Sequence, residues 1–168
     1  MSWIKIKNAL LQIAQTHPQI NSFGCGDALA IGTDNTININ TPSQSRILYP
    51  LLFVDVSNFT ASRGILNLTV QAYIMDRVEN TQTMNAIVTG TPMAGWQNTE
   101  DQVLSDMLLV ASDIMAKLTD DPGVTYTLQA GTAGQRFVET RDDIVAGWSM
   151  TLTFNMPYGM DTCSIPAR

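Results

Sequence analysis

Charge is scarce in this chain. Only 14% of its 168 residues are Asp, Glu, Lys or Arg, against roughly a quarter in an ordinary globular protein. Nine basic residues against fifteen acidic ones leave a net charge of −6, and no Lys/Arg run interrupts the acidic balance. That excludes sequence-independent duplex binding through phosphates, which needs clustered cations. Cysteine is nearly absent: Cys25 and Cys163 make no disulfide framework and have no metal-type spacing, so both read as reduced, partly buried thiols. The single histidine, His17, lacks the ligand set that a metal requires. Long apolar runs are missing too. Lys5 and Lys7 near the start are followed by no continuous apolar core, and no segment approaches a membrane span. The expectation is a protein made in the cytoplasm, with no membrane partner and no cofactor. No repeat or low-complexity tract stands out, and the length suits one domain over residues 1–168.

Thr, Asn, Gln and Ser fill the positions that charge vacates, while apolar residues stay at an ordinary 45%. Such a surface suits a protein that spends its life packed against neighbours. The strongest local pattern is residues 99–118, where Val103, Met107, Ala111, Ile114 and Leu118 recur at helical spacing and Leu104, Leu108 and Met115 widen the stripe. Thr99 and Gln102 form a capping-box pattern, Glu100 and Asp101 suit the helix dipole, and Asp121-Pro122-Gly123 ends the helix. A one-sided helix needs a sheet to cover it.

The rest of the chain supplies that sheet. Residues 2–16 read as an amphipathic helix with Trp3, Ile6, Leu10, Ile13 and Ala14 on one side, stopped by Pro18. Gly24 and Gly26 mark a tight turn around Cys25, and residues 33–45 read as an exposed polar loop or hairpin tip containing Asn38. Residues 47–56 read as a buried strand with Pro50 at an edge or bulge, and residues 57–64 as its connection. Leu66, Leu68, Val70, Ala72 and Ile74 then alternate with polar residues, predicting a strand antiparallel to the one before. Residues 81–88 suggest a further helical piece, and residues 89–98 a loop carrying Met93 and Trp96. Residues 124–130 alternate as a half-buried strand. Residues 131–143, with Arg136, Phe137 and Arg141, read as a hairpin extension standing off the sheet. Ile144, Ala146, Trp148, Met150, Leu152, Phe154 and Met156 form the cleanest alternation of all. The expected architecture is α+β: a mostly antiparallel sheet of about four strands, with the N-terminal and central helices on one face.

A search for chemistry finds little. Adjacent Asp142 and Asp143 would point to opposite faces of a strand, and Asp120-Asp121 belong to a helix end. No nucleophile, base and orienter can be assembled, so no catalytic residue is assigned. Gly24-Cys25-Gly26 lacks the remaining residues of a phosphate loop. It would serve a nucleophile only with a base nearby, for which His17 is the sole conventional candidate. The nine methionines fall mostly on core faces.

Several segments together resemble the neck and tail ring proteins of tailed bacteriophages, in particular tail-terminator-like proteins of the kind found in crAss-like phages. They are Phe23-Gly24-Cys25-Gly26-Asp27 after the first helix, Tyr49-Pro50-Leu51-Leu52-Phe53-Val54-Asp55, Met75-Asp76-Arg77, the helix over 102–118, Ala146-Gly147-Trp148, and Asp161-Thr162-Cys163-Ser164-Ile165-Pro166. The resemblance implies a structural virion protein with no enzymatic activity. Its partners would be copies of itself in a hexameric or dodecameric ring, neighbouring portal-side and tail proteins, and DNA that passes through the lumen without specific binding. It implies subunit contacts through loops flanking the sheet, which here are 33–45, 89–98 and 131–143. The candidate interface residues are Asn38, Met93, Trp96, Arg136, Phe137 and Arg141. A tail tube or baseplate component shares the fold and is the alternative; an enzyme or ligand-binding domain built on Gly24-Cys25-Gly26 is the remaining one.

Overall fold

The structure is a computed structural model that describes residues 3–44, 46–62, 64–79, 99–120, 126–129, 131–140 and 144–157. Helix α1 (Trp3–Thr16) leads into strand β1 (Ser22–Cys25), a short 3-10 turn (Ala28–Ala30) and strand β2 (Thr36–Asn38). Two long strands follow, β3 (Leu51–Ser62) and β4 (Ile65–Arg77), then helix α2 (Glu100–Asp120). Strands β5 (Thr127–Leu128), β6 (Gly134–Thr140) and β7 (Ile144–Pro157) complete the order.

The seven strands among the described residues belong to one sheet, in the order β2-β1-β3-β4-β7-β5, with β6 also paired to β7. Every pairing is antiparallel except β1 with β3, which is parallel. The α+β class and the mostly antiparallel sheet agree with the sequence, but the count of about four strands was too low. The additional strands are short or lack alternation. β1 and β2 fall in segments read as turn and loop, and β6 in the presumed extension, which instead lies along β7 from Gly134↔Met150 to Thr140↔Ile144.

Both helices pack on the same face of the sheet. Ile6, Leu10 and Ala14 of α1 and Val103, Leu104, Met107, Val110, Ala111, Ile114 and Leu118 of α2 are buried. They share one core with Leu52, Val54, the even-numbered residues of β4 from Leu68 to Ile74, and Ala146, Met150, Leu152, Phe154 and Met156 of β7. The helical stripe of the sequence is therefore the buried stripe, except that Leu108 stays exposed. At the start of α2 the Thr99 hydroxyl accepts from the Gln102 N–H at 3.4 Å, and the Thr99 carbonyl from Val103 at 2.9 Å. The Trp148 indole donates to the Leu104 carbonyl at 2.8 Å, tying α2 to β7.

A second, smaller core lies on the opposite face: Leu51, Phe53, Met75 and Val145, with Ala28, Ile31, Ile47, Tyr49, Tyr73 and Phe137 packed around them. Here β3 departs from its predicted span. It begins at Leu51, after the cis Tyr49–Pro50 peptide, and runs on to Ser62 through residues read as a connection. Polar residues continue the strand because the ladder to β4 goes on satisfying their backbone groups, from Asn58↔Thr69 to Ser62↔Ile65, after one bulge between Val56 and Asn58. The expected helical piece at 81–88, the loop at 89–98 and the helix stop at 121–123 lie outside the described residues.

Candidate functional site

The six candidate interface residues divide into three kinds. Asn38 is buried, which corrects its placement on an exposed loop. Its carboxamide oxygen accepts from the Ser22 hydroxyl at 2.6 Å and the Leu48 N–H at 3.2 Å, while its nitrogen donates to the carbonyls of Gln44 and Arg46 at 3.0 and 2.8 Å. All of its hydrogen-bonding capacity serves to pin Gln44, Arg46 and Leu48 against β1 and β2, leaving nothing to offer a neighbour. Arg136 and Phe137 are turned toward their own chain. Arg136 forms an ion pair with Glu100 at the start of α2. Phe137 sits edge-on to Tyr73, with ring centroids 6.0 Å apart. Arg136 remains exposed and its pair is solvated, so it is still open to a partner. Met93, Trp96 and Arg141 lie outside the described residues.

The glycine-flanked cysteine has a structural explanation. A Cβ on Gly24 would lie 2.4 Å from the Phe53 ring, so glycine is what lets β1 close over that ring. Gly26 has φ 144°, a conformation side chains avoid. Cys25 between them is partly buried. Burial, opposed by Lys7 and reinforced by Asp55, pushes its thiol up and away from the thiolate form a nucleophile needs. The imidazole of His17 is committed elsewhere: Nδ1 accepts from the Gln19 N–H at 3.2 Å, and Nε2 lies 3.5 Å from Asp113 of α2. Among the described residues, no three His, Cys, Asp or Glu side chains converge as a metal site. No described helix is long and apolar enough to cross a membrane.

What the sheet does present is a surface. On the face opposite the helices, the small core gives way along the strands to uncharged polar residues held in cross-strand pairs. Gln71 faces Thr151, Thr69 faces Thr153 and Asn67 faces Asn155, with Asn58 and Thr60 continuing the same rows onto β3. The Gln71 carboxamide donates to the Thr151 hydroxyl at 2.9 Å and accepts from it at 3.2 Å. Asp55, opposite Gln71, stands at the margin of the small core, and the exposed Arg77 lies on the same side at the far end of β4. Alternation could have located this face, since Asn67, Thr69 and Gln71 are the polar partners of the apolar stripe in β4. The composition is legible in the sequence; its concentration on one side of the sheet belongs to the fold. No known protein family matches the chain, and no curated protein matches it in sequence.

Proposed function

We propose that the chain is a structural subunit of a phage virion, forming a ring in the neck or tail around the DNA channel and joining the portal-side connector to the tail. The observation that carries this reading is the set of uncharged Thr/Asn/Gln rows on one face of the sheet. Paired amide and hydroxyl side chains on a rigid sheet can hydrogen-bond to a neighbouring subunit, and many weak contacts repeated by symmetry sum to a closed assembly. The Thr/Asn/Gln rows of that face hold no cation among the described residues, Arg77 standing at the far end of β4, so DNA could slide past them. An assembly role also fits the partly buried, protonated thiol of Cys25 better than the enzyme alternative does.

The test is quantitative mass spectrometry of purified virions of the phage that encodes the chain, with copies counted against the major capsid protein. A ring subunit is expected at about six or twelve copies, following its closed symmetry. Hundreds of copies would establish the tube alternative in its place, and absence from virions would overturn a structural role.

A further inference from the structure

β3 is a twelve-residue strand, yet on the side away from β4 it is covered only where β1 pairs with it, from Ser22↔Leu51 to Cys25↔Val54. Beyond that point no described strand lies along it, so residues 56–62 form an open edge. Natural sheets blunt such edges with lysine, proline or inward charge. This one carries Val56, Ser57, Asn58, Phe59, Thr60, Ala61 and Ser62, with none of those three and only a bulge at its inner end. Ser57 fills that bulge, its hydroxyl donating to the Thr69 carbonyl at 3.2 Å, and regular pairing resumes at Asn58. Phe59 is 66% exposed.

We propose that this edge pairs with the same edge of a second copy of the chain, antiparallel about a two-fold axis near Phe59. The sequence is self-complementary in that register. Phe59 meets Phe59, and Asn58 meets Thr60, an aromatic pair flanked by hydrogen-bonding pairs of the kind that stabilise antiparallel neighbours. Charge selects the occupant. A copy of a chain with net charge −6 is repelled over most surfaces, but residues 56–62 carry no charge. Another exposed apolar patch, Leu108 and Leu109 on α2, shares its helix face with Asp106 and Asp113, which would oppose their own counterparts. A strand edge of this length falls short of the ~800 Å² per partner of a standard interface, so the contact is weak and concentration-dependent. It does not rest on the ring reading. In a ring it would join two rings back to back, because a two-fold contact closes on itself.

The experiment is sedimentation velocity of the purified chain over rising concentration, alongside Phe59→Lys, Thr60→Lys and Leu109→Lys. Each lysine on β3 sets like charges close together across the proposed axis. At the highest concentration the wild type and Leu109→Lys are expected to reach twice the mass of either β3 variant, whether that means dimer against monomer or double ring against single ring. Equal masses for wild type and both β3 variants overturn the proposal, and leave the ring reading to its own test. Hydrogen exchange of the wild type gives a readout that needs no variant. Amide protection across residues 56–62 should rise with concentration; protection that does not depend on concentration overturns the proposal.

Discussion

The two halves of β3 are the sharpest contrast in the molecule. Leu51, Leu52, Phe53 and Val54 are each wholly buried, alternating between the large core under the helices and the small core on the other face. Residues 56–62 of the same strand are all exposed. Both halves pair with β4, on either side of one bulge, so the β4 ladder does not distinguish them. The difference is in what lies above and below. The first half is covered by β1 along its edge, by the helices on one face and by residues 28–31 and 47–49 on the other. The second half has none of these among the described residues. A ladder is enough to hold a strand's path, but layers on its faces decide whether its side chains carry stability.

Four substitutions sharpen that contrast, beginning with the largest effect. Gly147 in β7 faces Met75, beside the covered half of β3, and a Cβ there would lie 1.9 Å from the Ile74 carbonyl oxygen. Backbone cannot move aside as a side-chain tip can, so Gly147→Ala should cost at least about 3 kcal/mol in urea unfolding, the upper end of overpacking penalties. Phe53→Ala should cost about 3–5 kcal/mol by the same measurement, for the lost transfer energy and the cavity left between Gly24 and Tyr73. Should Phe53→Ala prove nearly neutral, the small core is not a true layer and the contrast collapses.

Asp76, at the end of β4, gives a smaller effect that depends on pH. Burial, with help from Asp106 and Glu79 and against the Arg77 N–H bond, raises its carboxyl above the ordinary range. The folded chain therefore holds this proton more tightly than the unfolded chain. Its contribution to stability is fully present below the unfolded value of about 3.9 and is lost as pH rises through the raised one. Asp76→Asn should thus raise Tm at neutral pH and leave it unchanged in strong acid. A Tm gain that is equal at both pH values would show that the charge is not the cause. The smallest effect belongs to the uncovered half. Phe59→Ser should shift unfolding by no more than about 0.5 kcal/mol in dilute solution, as for a surface position; a larger loss would mean that the chain itself covers this residue.

Periodicity made the interior of the sheet legible. The alternations of β4 and β7 and the stripe of α2 each place the right residues in the large core, since one buried face imposes its period on the sequence. Shorter elements left no such trace. β1 has four residues and is buried by position rather than pattern, and its parallel pairing with β3 depends on a contact between distant segments. The small core was invisible for the same reason. It is closed by Ala28, Ile31, Ile47 and Tyr49 from irregular chain, which carries no period to read. Asn38 was misplaced because a polar residue among polar neighbours looks solvated, and only the fold shows that its four hydrogen bonds stay inside. Of the candidate interface, Arg136 and Phe137 each meet a partner within their own chain that the sequence does not reveal. The partners that occupy them, Glu100 and Tyr73, come from elsewhere in the chain.

The ladder between β4 and β7 runs without a break from Arg77↔Val145 to Ile65↔Pro157. Its partners stand roughly seventy to ninety residues apart in sequence, so closing it requires ordering a long stretch of intervening chain. On a ribosome, β4 emerges and waits through the making of α2, β5 and β6 before its partner exists. Throughout that interval the whole β4 edge of the β3–β4 hairpin is bare, although β1 is already made and can pair with β3, and the large core lacks Met150, Leu152, Phe154 and Met156. The fold is thus completed by the last strand described. The time spent waiting for it is when the nascent chain is most open to misassociation.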